Sequence, residues 1–169
     1  VITGNTEPAT IFFFFFRNPQ GLVMHPETGE IWEAEHGPKG GDEINIISKG
    51  GNYGWPLYSL GVNYDGSAIS TGHTSAGIRG PLYSWTPSIG TCGMAFITSE
   101  KFKSWKGNLL VGGLASQKLH RCILNGNTII KEEILLTGSG RVRNVIQAPD
   151  GSIYVSVENP GRIIQIIPE

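Results

Sequence analysis

Charge is scarce in this chain. Of its 169 residues only 16% are Asp, Glu, Lys or Arg, against 39% apolar, and the formal net charge is −1. With a pI near 6.5, it has no basic footprint for nucleic acid or an anionic membrane surface. Cysteine is nearly absent, with Cys92 and Cys122 alone. They make no disulfide framework and lack zinc-ligand spacing. One bridge stays open on the sequence, but two free packed thiols are the preferred reading, because unpaired cysteine is often buried as a small hydrophobe. No apolar run approaches the roughly 20 residues that span a bilayer. Phe12–Phe16 is far shorter, and residues 1–10 do not read as a signal peptide. The acidic spacing of an EF-hand is missing too. Long helical periodicity is also missing, and the best helix candidate, Ser99–Trp105, is short.

What is abundant is punctuation. The chain holds 24 glycines and 10 prolines. Between them lie short apolar runs that read as eleven strands: Gly21–Pro26, Glu30–Glu35, Glu43–Ile47, Leu82–Trp85, Gly93–Thr98, Asn108–Leu114, Leu119–Leu124, Thr128–Leu136, Val142–Ala148, Ser152–Val157 and Arg162–Ile167. Low charge, much glycine and regular turn signals predict an all-β protein, either a sandwich, a barrel or a propeller.

A weak internal repeat decides among these. Gly21–Trp32 and Asn144–Tyr154 each read as a strand, a Pro-x-Gly turn and a strand ending in an aromatic, and Gly93–Val111 is a looser third copy. Three units of about 41 residues, a usual blade length, would fill the interval from the first start to the last. The uneven spacing is absorbed if residues 52–80 are a long insertion. The expectation is a single domain over 1–169, about three to four blades of a larger β-propeller. A propeller closes its ring so that few edges remain open, so further blades are expected upstream. Residues 1–16 are atypical. The phenylalanine run reads either as a buried strand leading into Arg17 or as a damaged segment at which a fragment begins, and the second reading is preferred for a reason given below.

The densest chemistry lies in residues 17–56. Glu35, His36, Asp42 and Glu43 surround the glycine-rich turn Gly37-Pro38-Lys39-Gly40-Gly41. Hard cations such as calcium take carboxylate and carbonyl oxygens on flexible turns, although Asp and Gly in a turn are more commonly turn chemistry alone. Near the end, Arg141 and Arg143 fall on one face of a strand by period two. Two guanidinium forks suit a ligand with several carboxylates. An exposed edge pair of arginines is the commoner alternative.

The composite motif Arg-Asn-Pro-Gln-Gly, then Glu-His-Gly-Pro-x-Gly-Gly-Asp-Glu-Ile-Asn, then Asn-Tyr-Gly-Trp-Pro closely resembles the quinoprotein glucose/sorbosone dehydrogenase family, nearest its aldose sugar dehydrogenase branch. The resemblance covers essentially everything after Phe16. It implies part of a six-bladed β-propeller that oxidises aldose sugars at C1 to the lactone, using pyrroloquinoline quinone (PQQ), Ca2+ and an external electron acceptor. It also implies a periplasmic or secreted protein. By the resemblance, Arg17, Asn18, His36, Tyr64, Arg141 and Arg143 are the cofactor-binding residues. The carbonyls of Gly37 and Pro38 match those that hold the catalytic calcium, while Glu43 and Tyr53 match ligands of a second, structural calcium. Three departures stand out. Phe15-Phe16 replaces the family's Gly-His before the Arg-Asn pair, which is why the phenylalanine run reads as damaged. Ala115 stands where many relatives carry a cofactor-binding lysine. The family's general base, a histidine of the ring's N-terminal half, is expected outside this chain, which by itself is expected to be inactive. His25, His73 and His120 are assigned to surface turns or strand faces. The alternatives are a non-catalytic calcium-binding propeller module and, with less support, a metal-dependent lactonase.

Overall fold

A computed structural model describes residues 15–69 and 76–168, and in it the chain forms eleven strands. They are β1 (Pro19–Met24), β2 (Ile31–Glu35), β3 (Asp42–Ile47), β4 (Tyr83–Trp85), β5 (Thr91–Phe96), β6 (Leu109–Gly113), β7 (Lys118–Asn125), β8 (Thr128–Leu135), β9 (Arg141–Gln147), β10 (Ile153–Glu158) and β11 (Arg162–Ile166). Each strand pairs antiparallel with its sequence neighbour, giving three sheets: β1-β2-β3-β4, β5-β6-β7-β8 and β9-β10-β11. The sheets pack face to face, with β1 beside β5 and β5 beside β9. This is the arrangement of three consecutive propeller blades whose first strands lie innermost. The three repeat copies coincide with the inner strand pairs β1–β2, β5–β6 and β9–β10. The interval from Gly21 to Asn144 therefore holds two blades rather than three. The 35 residues between Ile47 and Tyr83 stretch the first of them.

The hydrophobic pattern follows from this stacking. On β5, Met94 and Phe96 face the first sheet, while Ala95, and Ile97 just beyond the strand, face the third. On β6, Leu109 and Val111 face the first sheet and Leu110 faces the third. A sheet buried on both faces needs apolar residues at every position, which is why Leu109-Leu-Val shows no alternation. Crowding at the inner strands is resolved by glycine. A Cβ on Gly21 would sit 2.5 Å from the Cys92 carbonyl oxygen, and one on Gly93 would sit 1.7 Å from Asn144 Oδ1.

The expected helix is a 3-10 helix, Glu100–Trp105, capped by Ser99, whose side chain accepts from the Lys101 N–H. Both cysteines are free and buried. His120 lies on a strand, β7, as one of the expected alternatives had it, but both His25 and His120 are buried, at 8% and 3% exposure, so neither sits at the surface. His73 lies outside the described residues, as do Phe12–Phe14. The described end of the phenylalanine run is packed: Phe16 stacks on Tyr53 at 4.4 Å, and the Phe15 carbonyl accepts from the Trp55 N–H at 2.9 Å. Among the described residues, no helix is long and apolar enough to cross a membrane.

Candidate functional site

The site grows from the end of β2 and the turn that follows it. Arg17 and Asn18 enter β1 with both backbone N–H groups donating to Glu35 Oε2, at 2.6 and 3.2 Å. The Arg17 guanidinium donates to the His36 carbonyl at 3.1 Å and to the Tyr64 hydroxyl at 3.3 Å, and it lies over the Trp55 ring. Asn18 Nδ2 donates to His36 Nδ1 at 3.4 Å, and His36 Nε2 bonds the Thr91 carbonyl at 2.7 Å. Since that carbonyl can only accept, the ring proton sits on Nε2. Four of the residues picked out by sequence, Arg17, Asn18, His36 and Tyr64, thus form one connected group.

The glycine turn is held from below by Asp42, which is 1% exposed. Its Oδ1 accepts from Gly37 N–H at 3.0 Å, and its Oδ2 accepts from Gly90 and Thr91 N–H at 2.6 and 3.0 Å. The turn folds back so tightly that a Cβ on Gly37 would meet the carbonyl oxygens of Gly40 and Gly41 at 2.2 and 2.3 Å. Glycine is required there by space alone, which leaves the Gly37–Pro38 backbone next to the Arg17–His36 group.

Beneath it lies an acidic face. In the β2–β3 register Glu33 opposes Asn45 and Glu35 opposes Glu43, so all four side chains share one side of the sheet. All are buried. Burial, reinforced by the neighbouring charge of Glu35, pushes Glu33 up to about 9 and Glu43 up to about 8. Burial also raises Glu35, against the pull of the Arg17 and Asn18 N–H groups. Glu33 Oε1 and Asn45 Oδ1 have no hydrogen-bond partner. Buried oxygens left unpaired are costly and fit a missing cation or water. A cavity of about 10 Å³, about the size of one water, is lined by Arg17, Glu35, Gly37, Glu43 and Tyr53. The proposed structural calcium ligands Glu43 and Tyr53 therefore meet at one space. Among the described residues no group of three or more His, Cys, Asp or Glu forms a ready-made metal cluster. A calcium site made largely of carbonyl oxygens does not require one.

Arg141 and Arg143 do share a face of β9. Both reach Glu158 on β10, at 3.4 and 2.7 Å, and Arg143 also contacts Cys92 Sγ at 3.7 Å. Cys92 follows Thr91, the residue that anchors His36, so the arginine pair adjoins the Arg17 group across the second blade. Burial raises the Cys92 thiol pKa even though Arg143 pulls the other way, so the thiol is protonated at neutral pH. Sequence reasoning missed Thr91, Cys92, Trp55 and Glu158. Trp55 lies within the quoted Asn-Tyr-Gly-Trp-Pro motif, which could have marked it, whereas nothing in the local pattern marks Thr91, Cys92 or Glu158, since each reaches the site from another element.

This geometry can be compared with known proteins. The family model for Glucose / Sorbosone dehydrogenase matches residues 2–165. The chain belongs to the glucose/sorbosone dehydrogenase family. It is 41% identical over 164 residues to the aldose sugar dehydrogenase YliI of Escherichia coli, an alignment covering 95% of this chain and 44% of that protein. Among solved structures, the apo form of the soluble E. coli aldose sugar dehydrogenase superposes with a TM-score of 0.89 at 39% identity, over 94% of this chain and 47% of that one. The PQQ-bound aldose sugar dehydrogenase of Streptomyces coelicolor superposes at 0.74 with 25% identity, over 97% and 47%. The chain thus spans less than half the length of these family members. Their fold is the one described above, and the chain is part of a β-propeller.

Proposed function

We propose that this chain supplies the cofactor and calcium side of a PQQ-dependent aldose sugar dehydrogenase. The observation that carries the reading is the convergence of Arg17, Asn18, His36 and Tyr64 on the Gly37–Pro38 turn, above the cavity shared by Glu43 and Tyr53. The Gly37 and Pro38 carbonyls would hold the catalytic calcium, and Glu43 and Tyr53 the structural one. When held there, the quinone would supply the hydride acceptor for the sugar's C1, and calcium would supply Lewis acidity toward it.

This chain's own residues bind and orient. Arg17 is held by Trp55 and by the His36 carbonyl, so its charge is fixed in place before any ligand arrives. His36, locked by Thr91 and Asn18, presents a defined tautomer. Arg141 and Arg143 already grip one carboxylate, that of Glu158, and would exchange it for the cofactor's. The general base is placed elsewhere in the full-length protein. In that protein the substrate is an aldose, electrons leave to an external acceptor, and the location is periplasmic or secreted.

The acidic face alone would also serve a non-catalytic calcium-binding module, and Ala115, exposed on the β6–β7 turn, favours that second reading. Titrating the chain with PQQ, with and without calcium, separates the two. Saturable, calcium-dependent binding that is lost in Arg143→Ala supports the dehydrogenase. Arg143 is partly exposed, so this variant should keep its stability within about 0.5 kcal/mol. Calcium binding with no quinone binding by folded protein would select the inert module.

A further inference from the structure

A second cluster of reactive side chains lies between the first two blades. Ser116, in the turn joining β6 to β7, bonds His120 Nε2 through its Oγ at 2.8 Å. His120 Nδ1 bonds Glu132 Oε1 from the adjacent strand β8. Glu132 is fixed in turn by the Trp85 indole N–H at 3.0 Å and the Tyr83 hydroxyl at 3.1 Å. Hydroxyl, imidazole and carboxylate thus stand in series, each on the correct atom of the next for a nucleophile, a base and the group that orients the base.

Three further features fit that order. Burial holds His120 below its usual pKa, so the ring is neutral and able to take a proton. Burial works against ionisation of Glu132, but hydrogen bonds from Trp85, His120 and Tyr83 outweigh it and keep the carboxylate charged. The turn is also shaped to let serine and histidine meet. A Cβ on Gly113 would lie 2.1 Å from Ser116 Oγ and 3.0 Å from His120 Nε2. Ser116 opens onto a cleft of about 580 Å³ whose lining includes Ser88, Lys118, His120 and Glu132. No residue of that cleft lines the Arg17–Tyr53 cavity. Ser88 Oγ is buried without a partner, and its neighbour Ile89 accepts the Ser116 N–H at 3.0 Å.

We propose that Ser116, His120 and Glu132 form an acyl-transfer site for small carboxylic esters. Ser116 Oγ bonds to the carbonyl carbon as its proton passes to His120 Nε2. The ester C–O bond breaks, and the departing alcohol takes the proton from His120. Water then adds to the acyl carbon and gives its proton to His120, the acid leaves, and Ser116 recovers its hydrogen. Glu132 balances the charge on the imidazolium throughout. No metal or redox partner takes part.

The test treats the full chain with a fluorophosphonate probe and maps the label by mass spectrometry, alongside 4-nitrophenyl acetate hydrolysis in the presence of EDTA. The expected result is a single label on Ser116 and EDTA-insensitive turnover. Both should be lost in Ser116→Ala, and turnover should fall on the order of 100-fold in Glu132→Gln. A low-field His120 Nδ1–H proton resonance, present in Ser116→Ala and altered in Glu132→Gln, reports the orienting bond without reference to activity. No label on Ser116 of the native protein, label on another residue, or turnover that survives Ser116→Ala would overturn the proposal. So would hydrolysis abolished by EDTA, which would point to a metal-dependent hydrolase instead.

Discussion

Glu158 sits within reach of both Arg141 and Arg143, and this fixes how those arginines behave without a ligand. The hydrogen bond from Arg143 keeps its carboxyl below the usual range, so it is ionised and competes for the two forks at neutral pH. If the arginines bind the cofactor's carboxylates, removing that competitor should strengthen binding. Glu158→Gln is expected to lower the apparent Kd for PQQ several-fold at constant calcium, as read by quinone absorbance. An unchanged or weaker Kd would show that Glu158 organises the arginines instead of competing for them. All three groups are solvent-accessible, so the substitution should move stability little.

At the scale of elements, the β2–β3 hairpin carries two unlike faces. Trp32, Ala34 and Ile44 point into the core between the first two sheets, while Glu33, Glu35, Glu43 and Asn45 share the other side. Glu33 and Glu43 have folded-state values of about 9 and about 8, against an ordinary 4.5. Below 4.5 both groups are neutral whether the chain is folded or unfolded, so burial costs nothing through ionisation. Above it, the folded chain holds protons that the unfolded chain has released. Stability therefore falls as pH rises from the ordinary carboxylate value to about 9. In calcium-free buffer the urea midpoint should decline across that window, and Glu33→Gln should flatten the decline. If calcium binds this face as proposed, it takes the place of the protons, and saturating calcium should reverse the slope above neutral pH. A midpoint independent of both pH and calcium would remove the acidic face from consideration as a cation site.

At the scale of the molecule, the candidate site is a junction. Asp42 belongs to the first blade, yet two of its three hydrogen bonds go to Gly90 and Thr91, which lead into the second. His36 crosses the same boundary to the Thr91 carbonyl, and Arg143 reaches back from the third blade to Cys92. Asp42→Ala would leave three N–H groups without their acceptor at a 1% exposed position. The expected loss is about 3 kcal/mol or more by chemical denaturation, with PQQ and calcium binding impaired together. A loss under about 1 kcal/mol would mean that water replaces the carboxylate and that the blades are not tied through it.

Much of this organisation was legible in the chain itself. Strand positions follow from short apolar runs ended by Gly, Pro, Asn and Asp, because those residues dictate local backbone geometry. All eleven expected strands occur, within a few residues of their expected bounds. Family membership was legible because the motif from Arg17 to Pro56 is long and dense. The shared face of Arg141 and Arg143 follows from strand periodicity alone. Tertiary structure decided what no local rule reaches. It showed that two blades, not three, separate Gly21 from Asn144. It buried His25 and His120, residues whose polarity alone suggests the surface. It brought Thr91, Cys92, Trp55 and Glu158 to the cofactor group, and it aligned Ser116, His120 and Glu132 across a turn and two strands. Period and turn chemistry act over a few residues and are written into the sequence. The register between strands and the stacking of blades depend on how whole faces pack, and only the folded molecule fixes them.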